Sequence, residues 1–79
     1  MIQRTTVPVS DEYGITAVSE QMADGRWAVV ASVMHRSPAG EKIIDMPVRD
    51  TRYPTQGEAE QAGIQQARDW IERNVPHAA

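Results

Sequence analysis

An α+β fold is predicted: an antiparallel meander of three to four strands (β-β-β-β-α) with one C-terminal helix packed on one face. Three features of the sequence carry that expectation. Asp24–Gly25 lies between two runs rich in Val, Ala and Thr, where an Asp-Gly pair marks a tight hairpin turn. RSPAGE, residues 36–41, is a second short turn with Pro and Gly. TQGE, residues 55–58, then opens a long stretch of good helix formers.

Taken in chain order, residues 3–9 (QRTTVPV) are rich in β-branched side chains and read as a strand. Pro8 lacks a backbone N–H, which restricts it to an edge strand or a strand end. Residues 14–22 and 27–35 form the hairpin around Asp24–Gly25, and residues 41–48 (EKIIDMPV) follow the second turn as the last strand. A two-residue turn at Asp24–Gly25 places Met22 opposite Trp27, Val18 opposite Ala31, and Thr16 opposite Val33. Pairing Arg36 with Glu41 places Val33 opposite Ile44, Ala31 opposite Met46, and Val29 opposite Val48. Both registers then assign one set of side chains to the core: Val18, Met22, Trp27, Val29, Ala31, Val33, Ile44, Met46 and Val48.

The helix spans residues 56–73. Thr55 followed three residues later by Glu58 is a capping box, with Pro54 just ahead of it. At about 100° per residue, Ala59, Gly63, Ala67, Trp70 and Ile71 share an arc of roughly 120°. The small residues at the start of this stripe let the helix backbone approach the sheet closely. Gly63 disfavours a helix interior by about 1 kcal/mol relative to Ala, which points to a packing reason for it.

At 79 residues the chain holds one domain, residues 1–79, with the stretch 75–79 (VPHAA) expected to fray. A domain of this size buries roughly 60–65% of the surface its unfolded chain exposes, so modest stability is expected. Eight basic residues stand against eleven acidic ones, a net charge of −3 with the two signs interspersed. General nucleic-acid binding rests on clustered Lys and Arg neutralising phosphates, and this distribution does not supply it. Cysteine is absent, which excludes a disulfide framework and a thiolate zinc site. The first residues, MIQRTTVPVSDE, contain no apolar run of signal-peptide length, and no segment approaches a membrane span. A cytoplasmic location is therefore expected.

The run RWAVVASVMHR, residues 26–36, is apolar on both sides of the strand it forms. With the helix on one face, Ile15, Met34 and Ile43 form a cross-strand row on the other, joined by Val30 and flanked by Ala17 and Ala28. Ser19, Gln21, Ser32 and Asp45 give this cluster a polar rim. An apolar centre with a polar rim is the composition of an interaction surface. Ile15, Ala17, Ala28, Val30, Met34 and Ile43 are accordingly the candidate protein interface, for a second copy of the chain (a homodimer) or another protein. Two other arrangements also account for the pattern: residues 1–12 folding back over this face, or plain exposure.

Catalytic chemistry has little to rest on. His35 and His77 are the two histidines, and their positions make no H-x-x-x-H spacing. Gly14, Gly25, Gly40, Gly57 and Gly63 are isolated, so no phosphate loop forms. Glu41, Asp45 and Asp50 make no recognisable carboxylate pair. No enzyme activity, metal or cofactor is expected. RDTRYP, residues 49–54, supplies the alternative: Arg49, Arg52 and Tyr53 as a basic and aromatic site for an anion or nucleic acid, in a small regulatory protein.

Overall fold

The computed structural model describes residues 2–74. The tail 75–79 and His77 lie outside them, and with them the expectation of fraying. Strands β1 (Ile2–Pro8), β2 (Tyr13–Gln21), β3 (Trp27–Ser37) and β4 (Gly40–Asp45) precede a single helix, α1 (Gln56–Asn74). The strands form one antiparallel sheet in the order β1-β2-β3-β4, and α1 crosses one face of it over β2 and β3. This is the expected α+β meander. β1 lies in the plane of the sheet, paired with β2 from Ile2↔Glu20 to Pro8↔Gly14. Residues 2–8 therefore form an edge strand and do not fold back over the second face.

The first hairpin differs from expectation by one residue. Gly25 N–H donates to the Met22 carbonyl (3.0 Å) and Met22 N–H to the Arg26 carbonyl (2.7 Å), so Ala23, Asp24 and Gly25 make a three-residue loop. A two-residue type I′ turn needs positive φ at both central residues. Here Gly25 alone takes it, at 86°, and Asp24 does not. Asp24 Oδ1 instead accepts the Arg26 N–H at 3.0 Å. The extra loop residue pairs Ala17 with Ala31 and Val18 with Val30. Since side chains alternate between faces, a slip of one residue turns all of β2 over.

The core follows from that register. Ile15, Ala17 and Ser19 of β2 and Ala31 and Val33 of β3 are buried against Ala59, Gly63, Ile64, Ala67 and Ile71 of α1. Val18 moves to the opposite face, and Met22 enters the turn. The β3–β4 register is as expected, with Arg36 opposite Glu41 and Val33 opposite Ile44. Met46 is buried and donates its N–H to the Ala31 carbonyl at 2.9 Å. The strand has ended by then, however, and Val48 is 75% exposed. Trp27 is half-buried at the start of β3, and Trp70 packs on the edge of the core.

Thr55 caps α1 as its sequence implies: its Oγ1 accepts the Glu58 N–H at 3.2 Å and its carbonyl the Ala59 N–H at 3.2 Å. Three side chains then tie the helix to the sheet and its flanking loop. Gln56 Nε2 donates to Ser19 Oγ at 3.1 Å, Gln66 Nε2 to the Pro47 carbonyl at 3.0 Å, and Thr5 Oγ1 to a Glu60 carboxylate oxygen.

Candidate functional site

One face of the sheet is left open by this arrangement, and the register decides what it carries. Ala28, Val30, Met34 and Ile43 lie on it, as expected. Ile15 and Ala17 do not. They are 0% and 2% exposed beneath α1, because the three-residue loop moved odd-numbered β2 positions to the helix side. Gly14 takes the place expected of Ile15, opposite Met34, and Val18 joins the face opposite Val30. Of the expected rim, Ser32 and Asp45 are on the open face, whereas Ser19 is buried under the helix.

The open face is banded. One row runs Pro8, Gly14, Met34, Ile43 across the four strands. The next is hydroxylated: Thr6, Thr16 and Ser32, ending at Asp45. A third row holds Arg4, Val18 and Val30, and Glu20 and Ala28 lie beyond it. Val30 is 45% and Ile43 64% exposed.

A hollow of about 220 Å³ opens at the Pro8–Gly14–Met34 row, bounded by Arg36 and by the turn between β1 and β2. That turn is held from both sides. Ser10 Oγ accepts the N–H groups of Glu12 (3.3 Å) and Tyr13 (3.2 Å), and the Glu12 carbonyl accepts Arg36 N–H at 2.7 Å. Arg36 Nη2 lies 3.2 Å from Glu41 Oε1 with both side chains largely exposed, an ion pair of little energetic weight. Gly14 forms the floor. A Cβ there would meet Val7 O at 3.7 Å and the Met34 methyl at 3.8 Å, ordinary contacts, and its φ is not positive.

Arg49, Arg52 and Tyr53 of the alternative site lie in the connection between β4 and α1. Arg52 Nη1 donates back to its own loop, to the Asp50 (3.2 Å) and Thr51 (3.4 Å) carbonyls. Tyr53 is a bridging residue: its N–H and carbonyl pair with Trp27 at 2.9 and 2.8 Å, closing the edge of β3 beyond β4. The shallow surface beside Tyr53 includes Glu58 and Glu60, which repel an anion. Arg49 is exposed. His35 stacks on Tyr13, ring centroids 4.5 Å apart and 6° from parallel, with a Glu12 carboxylate oxygen 3.9 Å away.

Sequence reasoning missed Gly14 and Val18, because Asp24–Gly25 suits a two-residue and a three-residue loop alike. Among the described residues, no group of three or more His, Asp or Glu side chains could hold a metal ion, and no helix is long and apolar enough to cross a membrane. Neither a curated protein nor a solved structure matched the chain. A family model matches residues 3–79, nearly the whole sequence, and the chain belongs to that family, described as Domain of unknown function (DUF6566).

Proposed function

We propose that this chain is a non-enzymatic protein-interaction module that binds through the open face of its sheet. One observation carries the reading: Val30 and Ile43 stand exposed on a face over which no element of residues 2–74 packs, since β1 occupies an edge and α1 the other side. Full burial of an exposed side chain of this kind contributes roughly 1.5–3 kcal/mol. Val18 and Met34 are already half-buried, and Val30 and Ile43 are 45% and 64% exposed. Covering what remains of the four contributes about half of that each, on the order of 3–6 kcal/mol in total. Association costs about 4–15 kcal/mol. Weak binding is the expected consequence.

The test compares immobilised wild type with Met34→Asp and Ile43→Lys, each checked for its fold by circular dichroism. Both positions lie outside the core, so both variants should fold. A protein retained by wild type, whether a second copy or another chain, and lost by both variants supports the reading. Equal retention by all three overturns it.

A further inference from the structure

We infer that the occupant of the open face is a second copy of this chain, stacked face to face about a two-fold axis parallel to the strands and lying between β2 and β3. The inference rests on the open face being an interface and names its partner. Gly14 is the first observation. A glycine inside a strand weakens it, and a close approach by another chain is one of the few reasons for it. Nothing within the monomer requires this one: φ is not positive and a Cβ would make only ordinary contacts. Gly14 lines the hollow of about 220 Å³ and puts no side chain into it.

Self-complementarity is the second. The proposed axis sets β2 over the partner's β3 with rows at the same height, so each cross-strand pair within the sheet predicts a contact between sheets. Gly14, opposite Met34 in its own sheet, receives the partner's Met34 into the hollow. Val18 meets the partner's Val30, and Thr16 faces the partner's Ser32. At the corners Pro8 approaches the partner's Ile43, and Thr6 approaches the partner's Asp45. In the Gly14 and Val18 rows the two central strands bring apolar groups together, and hydroxyls meet hydroxyls or a carboxylate. Arg4 and Glu20 lie toward the end of the face, Glu20 over the partner's Ala28. A two-fold axis perpendicular to the strands through the hydroxyl row instead sets Asp45 against the partner's Asp45. A shift by one row sets Val18 and Val30 on threonine and serine.

Stacked sheets lie about 10 Å apart with strands crossing at about 30°, so β2 and β3 hold the register while the corners splay. Four strands at about 4.8 Å and eight or nine residues at about 3.3 Å give a footprint on the order of 500 Å² per copy. That is at the low end for a specific interface, so the dimer is weak and exchanging.

Sedimentation equilibrium from micromolar to millimolar concentration tests this, with a dimer of the 8.8 kDa chain expected at the upper end. Gly14→Val projects a branched side chain into the hollow without requiring a positive φ, and should weaken association roughly tenfold or more with the fold intact. Ile43→Lys is the second variant and should do the same. Because the chain has no cysteine, Val18→Cys and Val30→Cys each introduce a single thiol. Oxidising an equal mixture should yield the mixed disulfide well above its statistical half. A monomer throughout the series overturns the second copy as occupant and leaves the open face to the capture experiment. A dimer unaffected by Gly14→Val and Ile43→Lys overturns both readings and points to a surface other than this face. A dimer lost in both variants but without preference for the mixed disulfide overturns the stacking while keeping the face.

Discussion

A Cβ placed on Gly63 would lie 2.7 Å from Val29 Cγ2, and 3.6 Å from the Cβ atoms of Ala17 and Ala31. The helix backbone therefore rests directly on side chains of β2 and β3 at this point. The obstruction is a branched side chain on a central strand, not the far end of a flexible one. Relieving it means moving the helix or turning Val29 off its rotamer.

Gly63→Ala accordingly sets two effects against each other. Helix propensity favours alanine by about 1 kcal/mol, and overpacking a filled core costs about 1–3 kcal/mol. A net loss of about 1 kcal/mol is expected in urea unfolding. In a Val29→Ala background the same substitution should be neutral or stabilising, because the opposing methyl is gone. A stabilised Gly63→Ala in the wild-type background would show that α1 does not seat on Val29.

The register of β2 gives the second prediction. Ile15 is fully buried while Val18 lies on the open face. Ile15→Ala should lower unfolding free energy by about 2–5 kcal/mol, and Val18→Ala by less than about 1. The type I′ register demands the reverse order, so one pair of denaturation curves decides between them.

These two positions also mark how far the sequence could be read. The elements were legible because each rests on local chemistry: Thr55 as a cap, the turn through Pro38 and Gly40, and the alanine spacing of α1. The β3–β4 register was legible too, since the turn after Ser37 has a single short solution. The β2–β3 register was not. Asp24–Gly25 permits a two-residue loop with positive φ at both residues, or a three-residue loop that asks it of glycine alone. Hydrophobicity could not arbitrate, because Ile15 and Ala17 on one face of β2 are no more apolar a pair than Val18 and Met22 on the other. A third of the candidate interface turned on that choice: Ala28, Val30, Met34 and Ile43 stayed on the open face, while Ile15 and Ala17 went under the helix.

The loop itself is open to a direct test. Gly25 holds φ at 86° with open space where its Cβ would be. Gly25→Ala should therefore cost about 1–2 kcal/mol from backbone strain alone, and Gly25→Asn distinctly less, since Asn tolerates the left-handed region. Asp24→Gly, which removes the bond to the Arg26 N–H, frees the two-residue turn to compete. Its signature is a doubled set of amide resonances for β2. A single set at the wild-type shifts would mean that packing under α1, not the loop, holds the register.

Ser19 is the buried polar residue of the core, 1% exposed, and its hydroxyl accepts a hydrogen bond from Gln56 at the first turn of the helix. Removing the two partners should have unequal effects. Gln56→Ala strands a buried hydroxyl and should cost about 1–2 kcal/mol. Ser19→Ala leaves a small apolar group opposite Val29 on the helix-covered face, while the half-buried Gln56 amide can turn to water, so its cost should stay below about 0.5 kcal/mol. The double variant should then match Ser19→Ala, with a coupling energy of about 1 kcal/mol in a double-mutant cycle. Strict additivity would mean that this bond does not anchor the start of α1 to β2, and that Thr55 and the packing of Ala59 hold the helix there unaided.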